Sequence, residues 1–320
     1  MLDRTPGDFL QLFDSADVAR ALDYPRLIEA LRSAFRDGAE APPRQVLGLA
    51  DGGGHLVTMP IWRPAAGAVK IATLFPANPD RHGKPSVQSL VVLFDGATGT
   101  PTAVADGNEI TLRRTAAASA LAAGYLARPD ARSLLMIGAG ALAPHLIGGH
   151  AAVRPIRRVE VWARSPDKAR ALAAAVAVER PDLEVTASDS LAVSASRCDI
   201  ISCATGAAAP ILQGAWLSPG VHVDLVGAFS PETREADDDV VRGARIFVDT
   251  WAGGLREAGD LLIPIAAGVL ARADIAGDLA DLCGARVPGR TAADQVTVFK
   301  SVGSAIEDLA AAQLLLEGAS

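Results

Sequence analysis

A glycine-rich stretch in the middle of the chain is the first feature that points to chemistry. Four apolar residues, 134–137, lead into the run Gly138-Ala139-Gly140-Ala141-Leu142-Ala143. Where a strand turns into a helix, the first glycine permits the tight turn and the second lets a pyrophosphate approach the backbone. The free N–H groups and partial positive charge of the helix N-terminus bind the phosphates. The stretch predicts a dinucleotide site formed by Gly138, Gly140, Ala141 and Leu142.

The next strand-like segment, residues 159–162, bears on which dinucleotide binds. It ends at Ala163-Arg164-Ser165. Sites that prefer NAD usually carry Asp or Glu at this strand end, to bind the ribose hydroxyls. Here no carboxylate would repel a 2′-phosphate, and a guanidinium and a hydroxyl are present to bind one. The segment favours NADP(H), with NAD as the alternative. The other interpretation of Arg164 is an ordinary solvated loop arginine.

Three basic residues in the first third of the chain stand in unusual surroundings. Lys70 lies inside an apolar run, Arg114 lies near the start of an alanine-rich helix, and Arg44 follows two prolines. A lysine in a buried strand is rare unless it is paired or functional, and an arginine near a helix start favours an anionic partner. Together they predict a binding site for a small carboxylate substrate. The alternative is an edge strand with Lys70 in solvent and two surface arginines.

Composition limits the possible partners. The 320 residues carry a net charge of −7, which argues against nucleic acid because phosphate binding needs a basic surface. No apolar run approaches the roughly 18 residues of a membrane span, and the first residues do not resemble a secretory signal. The three cysteines lack metal-ligand spacing and are expected to be buried thiols in a reducing cytoplasm. We therefore expect a cytoplasmic protein with no membrane partner and no metal site.

The pattern of elements predicts two domains. Before residue 128 we expect a helix over 16–37, five strands over 46–49, 55–59, 68–74, 89–94 and 102–105, and a helix over 110–127. From residue 132 the rhythm alternates, with strands over 133–137, 159–162, 184–187, 200–202, 222–225 and 245–248 and helices over 141–151, 166–179 and 189–196. Such alternation is typical of a doubly wound parallel sheet. Residues 293–316 are predicted to form one long helix that packs back on the first domain.

These elements predict an α/β fold. It consists of a Rossmann-type NAD(P)-binding domain over residues 128–296 and an α+β domain for substrate binding and dimerisation. The second domain comprises residues 1–127 and is completed by the C-terminal helix in residues 297–320.

Several segments together resemble the ornithine cyclodeaminase/μ-crystallin family over nearly the whole chain. They are residues 58–60 (TMP), Lys70, 94–99, 103–111 (AVADGNEIT), 114–117 (RTAA), 137–140 (IGAG), 226–228 (VGA), Pro231, 257–261 (EAGDL) and 298–310 (VFKSVGSAIEDLA). The resemblance implies a homodimer paired through the N-terminal domain. It also implies a substrate carboxylate held beside the nicotinamide by Arg44, Lys70 and Arg114. The residues that it implies in dinucleotide contacts are Thr205, Val226, Gly227, Ala228 and Ser301.

One departure from the family pattern bears on the reaction. Where the cyclodeaminase branch has an aspartate that binds the substrate amine and moves protons, this chain has Phe229. A phenyl ring can neither accept a proton nor pair with an ammonium group. We therefore expect NADPH-dependent reduction of cyclic imino acids, Δ1-pyrroline-2-carboxylate and Δ1-piperideine-2-carboxylate, to L-proline and L-pipecolate. The alternatives are ornithine cyclodeamination, reductive amination to alanine, and a non-catalytic protein that binds the dinucleotide and a small ligand.

Overall fold

The structure, a computed structural model, describes residues 10–38, 41–49 and 53–318. Its chain divides into two compact units, Met1–Arg114 with Ser304–Ser320 and Thr115–Gly303. The boundaries differ from the predicted 127/128 and 296/297. The first lies inside a long helix, and the second lies after a strand that belongs to the sheet of the second unit.

The described residues form fourteen strands and twelve α-helices. The strands are β1 Gln11–Phe13, β2 Gln45–Gly48, β3 His55–Trp62, β4 Ala66–Leu74, β5 Val87–Asp95, β6 Pro101–Asp106, β7 Ser133–Ile137, β8 Arg158–Trp162, β9 Glu184–Ala187, β10 Ile200–Cys203, β11 His222–Leu225, β12 Arg245–Val248, β13 Ile275–Asp278 and β14 Thr297–Lys300. The helices are α1 Ser15–Ala21, α2 Tyr24–Arg36, α3 Asn78–His82, α4 Gly107–Leu126, α5 Ala143–Val153, α6 Pro166–Glu179, α7 Leu191–Ala195, α8 Asp238–Val241, α9 Trp251–Glu257, α10 Gly259–Ala266, α11 Leu279–Cys283 and α12 Ala305–Gly318.

The first unit is built on a six-stranded sheet in the order β1-β6-β5-β4-β3-β2, antiparallel except where β1 pairs with β6. Helix α12 packs against α2 and against β3, β4 and β5. The single helix predicted over 16–37 is wrong, because the chain forms α1 and α2 with a break at Leu22. The Asp23 side chain accepts a hydrogen bond from the backbone of Arg26 and so begins a second helix.

The second unit contains an eight-stranded sheet, parallel throughout, in the order β13-β12-β14-β11-β10-β7-β8-β9. The predicted α/β fold with a doubly wound parallel sheet is confirmed. The chain runs outward from β7 through β8 to β9, then returns to the other side of β7 at β10. In such sheets ligands bind at the carboxyl ends of the strands where the order reverses. The glycine-rich stretch follows β7 and therefore lies at this point.

The long helix predicted over 293–316 is wrong in its first half. Strand β14 pairs with β11 on one side and β12 on the other, and every residue of it is buried. Helix α12 begins only at Ala305, after Gly303 has taken a φ of +85°. In residues 297–300, pairing with β11 and β12 therefore outweighs the helical tendency of the segment that follows. Within the described residues, no helix has both the length and the apolar character needed to cross a bilayer.

Candidate functional site

Two of the predicted substrate-binding cations meet in the first unit. Lys70 on β4 and Arg114 on α4 are 4% and 5% exposed, and both face α12. The Lys70 Nζ lies 2.9 Å and 2.8 Å from the two carboxylate oxygens of Asp308. The Arg114 Nε donates to Asp308 Oδ1 at 3.1 Å, and its Nη1 donates to Glu307 Oε2 at 2.6 Å. We call Lys70, Arg114, Glu307 and Asp308 the charge cluster.

The electrostatics of the charge cluster follow from its burial. Burial, together with the positive charge of Arg114, lowers the pKa of Lys70 to about 8, although Asp308 opposes this shift. Burial alone would raise the pKa of Asp308, but the charges of Lys70 and Arg114 hold it below its usual value. Asp308 is therefore ionised near neutral pH, whereas Lys70 is close to its titration point.

The positive charge of Arg44 also affects the charge cluster. The charge of Arg44, a partly buried residue just before β2, contributes to the lowered pKa of both Lys70 and Asp308. The cluster and Arg44 together contain three cations and two carboxylates, a net charge of +1.

Arg114 lies two turns inside α4 rather than at its start, so the helix-dipole argument for an anionic partner is wrong. Its anionic partners are Glu307 and Asp308 of the protein itself.

In the second unit, the two glycines of the predicted phosphate turn have different roles. Gly138 has a φ of +116°, and a Cβ there would lie 2.4 Å from the Ala204 carbonyl oxygen. Gly138 is therefore required by the fold. A Cβ at Gly140 would meet no atom of the described residues within 4 Å. This position is open to a ligand, as a close pyrophosphate requires.

Helix α5 begins at Ala143 rather than at residue 141 as predicted. Ala141 and Leu142 lie in the turn, where the Ala143 N–H donates to the Gly140 carbonyl at 3.1 Å. The N-cap residue Leu142 has no capping side chain, and the second residue of the helix, Pro144, has no N–H. The open space at Gly140 and the positive end of the α5 dipole beside it fit the phosphates of a dinucleotide.

The end of β8 presents the residues predicted to discriminate between the two dinucleotides. Ala163, Arg164 and Ser165 follow the strand; Ser165 is the N-cap of α6, and its side chain makes no capping bond. The Arg164 side chain is exposed and has no ion pair among the described residues. An unpaired guanidinium and a free hydroxyl at this strand end fit a phosphate on the adenosine ribose.

The loops after β10 and β11 contain the other predicted cofactor residues. Thr205 and Gly227 are so close that a Cβ at Gly227 would lie 2.2 Å from the Thr205 carbonyl oxygen. Val226 and Ala228 on either side of Gly227 are buried. Ser301, after β14, is 2% exposed, and its hydroxyl has no hydrogen-bond partner in the described part of the chain. Phe229 is 51% exposed and follows directly on this loop.

The sequence does not predict how the carboxylates that organise both groups of residues are paired; from the sequence, Asp260 and Glu257 are only candidates for a general acid or ordinary loop carboxylates. Glu307 and Asp308 lie about 190 positions beyond Arg114, and they entered only as part of a family motif. Glu235 and Lys300 are buried, as is Asp260, which pairs with Lys300 at 3.1 Å. The sequence feature that could have indicated these residues is a charged residue in an otherwise apolar segment, such as the lysine that ends the VTVFK run. That pattern does not say which partner each charge meets.

The chain is thus a two-unit α/β protein whose parallel sheet carries a nucleotide-type glycine turn and whose other unit carries a buried charge cluster. A family model described as the ornithine cyclodeaminase/mu-crystallin family matches residues 12–320. The chain belongs to this family, which confirms the resemblance noted in the sequence.

Known relatives are similar over almost the whole length. The chain is 36% identical to the Delta(1)-pyrroline-2-carboxylate reductase of Colwellia psychrerythraea over 96% of this chain and 99% of that one. The same enzyme of Thermococcus litoralis, solved in complex with NADH and L-proline, is 33% identical with a TM-score of 0.92, covering 97% of each chain. An archaeal alanine dehydrogenase dimer with bound NAD is 26% identical with a TM-score of 0.90, covering 97% of this chain and 96% of that one.

Proposed function

We propose that this protein reduces cyclic imino acids, Δ1-pyrroline-2-carboxylate and Δ1-piperideine-2-carboxylate, to L-proline and L-pipecolate with NADPH. Its family and relatives make it an NAD(P)-dependent oxidoreductase that acts on carbon–nitrogen bonds; the substrates and the choice of NADPH are our proposal. The observation that carries it is the buried charge cluster, in which Lys70 and Arg114 are held by Glu307 and Asp308.

In the proposed reaction the cluster binds and orients the substrate carboxylate. Lys70, Arg114 and Arg44 offer charge-assisted hydrogen bonds, and a carboxylate would neutralise the net charge of +1 that they share with Glu307 and Asp308. Fixing the carboxylate fixes the adjacent C=N carbon, and positioning of this kind supplies much of the rate enhancement. When bound, the reduced nicotinamide supplies a hydride to that carbon. The ring nitrogen enters with its proton, so the product is the secondary amine.

Phe229 favours imine reduction over ornithine cyclodeamination. Ornithine brings a second ammonium group that must be held and deprotonated before the ring closes, which calls for a carboxylate. A cyclic imino acid instead brings ring methylenes, each worth about 0.8 kcal/mol when covered by an apolar surface such as a phenyl face.

We further propose a homodimer paired through the outer face of the first sheet. Lys70 points toward α12, so its neighbour Ile71 points to the opposite face, where it lies across from Leu90. The exposed apolar residues of this sheet include Leu12, Leu47, Ile71 and Leu90, which are 74%, 62%, 41% and 52% exposed. Exposed apolar side chains grouped on one sheet are typical of a protein interface. The archaeal alanine dehydrogenase with a similar fold is a dimer, which supports a second copy as the occupant.

The first test compares two reactions of the wild-type protein. We expect NADPH absorbance to fall with either cyclic imine, and no ammonia release from L-ornithine with NAD. Phe229→Asp should weaken imine reduction by placing a carboxylate near the ring carbons, whereas Phe229→Leu, which stays apolar, should weaken it less. Ammonia release from ornithine at a rate rivalling imine reduction would favour the cyclodeaminase instead. Alanine formed from pyruvate, ammonia and NADH in preference would favour the alanine dehydrogenase.

The second test addresses the charge cluster. Lys70→Met keeps the length of the side chain but removes one cation, and we expect kcat/KM for the imine to fall about a hundredfold, or about 3 kcal/mol. Lys84→Met removes an exposed lysine of the same unit and serves as the control. A folded Lys70→Met protein with near-wild-type activity would place the substrate elsewhere.

A further inference from the structure

A buried carboxylate joins the two loops that are predicted to contact the dinucleotide. Glu235 is 1% exposed. Its Oε1 accepts hydrogen bonds from the Thr205 backbone N–H at 2.6 Å and from the Thr205 hydroxyl at 2.8 Å. Its Oε2 accepts the Gly227 N–H at 2.6 Å. One side chain thus holds the loop after β10 and the loop after β11 at the same time.

These loops pack against the glycine turn after β7. The Ala204 carbonyl oxygen lies 2.4 Å from where a Cβ of Gly138 would stand, and the Thr205 methyl lies 3.4 Å from the same point. Gly227 in turn lies against Thr205. The three loops therefore pack on one another at the carboxyl ends of neighbouring strands. A displacement of Thr205 would reach the turn that contains Gly138.

Glu235 is itself anchored from the opposite side. Asp260 Oδ1, at the start of α10, accepts the backbone N–H of Glu235 at 2.8 Å and that of Ala236 at 3.1 Å. Asp260 is ion-paired with Lys300 of β14 at 3.1 Å, and both side chains are fully buried. The Glu235 carbonyl accepts the N–H groups of Ile211 and Leu212. The backbone that carries the carboxylate is therefore fixed before any ligand binds.

We propose that Glu235 is a positioning residue that presets the dinucleotide loops in the ligand-free protein. Both oxygens of Glu235 accept from N–H or O–H donors, an arrangement that suits a carboxylate and that no neutral side chain of the same shape reproduces. Loops held in their binding geometry lose less conformational entropy when the ligand arrives, so affinity rises. The inference rests on the proposed function in one respect, the assignment of Thr205 and Gly227 to the dinucleotide site.

The test uses Glu235→Gln in the full-length protein. The amide oxygen can accept from one loop only, while the NH₂ group opposes an N–H donor of the other. We expect the dissociation constant of the reduced dinucleotide, followed by its own fluorescence, to rise about tenfold or more. With an imine substrate, the KM for the dinucleotide should rise while kcat at saturating dinucleotide and the KM for the imine stay near the wild-type values.

The matched control is Glu160→Gln in the same unit. Glu160 is also 1% exposed, and it accepts hydrogen bonds from Ser194 and Arg197, neither of which is a predicted dinucleotide residue. This variant should lower the melting temperature without changing dinucleotide affinity. A folded Glu235→Gln protein with wild-type affinity would overturn the proposal. Equal losses of affinity in both variants would also overturn it, because the effect would then be general destabilisation.

A second measurement needs no variant. In the wild-type protein without dinucleotide, the amides of Thr205 and Gly227 should be protected from hydrogen exchange, because Glu235 holds both. Exchange at the rate of an open loop would overturn the inference even if Glu235→Gln failed to fold. The binding and exchange measurements use no imine. A protein that binds the dinucleotide as expected but reduces no imine would therefore count against the proposed function and leave the role of Glu235 standing.

Discussion

Lys70 is a buried lysine whose charge depends on pH in the range where enzymes work. Its pKa of about 8 results from burial and from the neighbouring positive charge of Arg114. Below this pKa the side chain is a cation that attracts a carboxylate, and above it the side chain is a neutral amine. Asp308, whose pKa is lowered, stays ionised on both sides of that point. Raising the pH therefore shifts the balance of the charge cluster toward negative.

The first prediction is that affinity for a carboxylate ligand falls as the pH rises through about 8. Loss of one charge-assisted contact corresponds to about 1.5–3 kcal/mol, so affinity should decrease by roughly tenfold or more. Pyrrole-2-carboxylate is a suitable probe because its ring nitrogen takes up no proton in this range, whereas an imine substrate titrates itself. Its dissociation constant should be measured across the neutral and alkaline range. An affinity that is unchanged across this range would show that Lys70 does not bind the carboxylate in its charged form.

The second prediction concerns Arg164. Arg164→Asp replaces the exposed guanidinium at the end of β8 with a carboxylate, which repels a 2′-phosphate and can accept hydrogen bonds from ribose hydroxyls. We expect NADPH affinity to fall by about 1.5–3 kcal/mol and preference to move toward NADH. Arg170→Asp on α6, which loses the exposed Arg170–Asp167 pair, is the control for net charge. The argument fails if the wild-type protein already binds NADH more tightly than NADPH.

At the scale of elements, the turn between β7 and α5 contains one glycine that the fold requires and a second that leaves space for a ligand. Gly138 is needed because of its positive φ and its contact with the Ala204 carbonyl, whereas the space beside Gly140 is open. The third prediction is that Gly138→Ala lowers the free energy of unfolding by about 1–3 kcal/mol. Gly140→Ala should leave the melting temperature nearly unchanged and weaken dinucleotide binding. Thermal unfolding and dinucleotide titration of both proteins check this; a stable Gly138→Ala protein, or full affinity in Gly140→Ala, would contradict it.

The sequence predicts well those elements whose formation depends on their own residues and immediate neighbours in the chain. Strands β7, β9, β11 and β12 lie at the predicted bounds, because each is a short segment with β-branched or other apolar residues that is set off from its neighbours. Strand β14 falls within the helix predicted over 293–316, because its four residues stand before an alanine-rich segment and its stability comes from pairing with β11 and β12. No local pattern contains those partners.

The charged sites show the same limit. Lys70 and Arg114 were identifiable because each stands in an apolar or alanine-rich segment. Their partner Asp308 lies on α12, 238 positions from Lys70. Glu235 stands in a loop segment with other charged residues, and only the packing of three loops makes it distinct. Sequence therefore predicts which residues carry charge in unusual places, and the fold decides which charges meet.

At the scale of the whole molecule, the apolar outer face of the first sheet is the interface that we propose for a homodimer. The fourth prediction is that Leu90→Lys converts a dimer into a monomer, because it places a charge opposite Ile71 on the proposed interface. Val178→Lys alters an apolar side chain that is 83% exposed on α6 of the other unit, and it should leave the assembly unchanged. Size-exclusion chromatography with light scattering measures the mass of each protein. A monomeric wild type, or a dimer that survives Leu90→Lys, would place the interface elsewhere or remove it.

The position of β14 also governs when the protein can fold during its synthesis. The sheet of the second unit lacks the strand between β11 and β12 until residues 297–300 have been translated. Helix α12, which supplies the counter-charges of Lys70 and Arg114, is translated later still. Neither unit can complete its core while its last elements are inside the ribosome, although domains commonly fold in order from the N-terminus. We therefore expect nascent chains of this protein to expose unpaired edges of β11 and β12 until residues 297–300 have been translated.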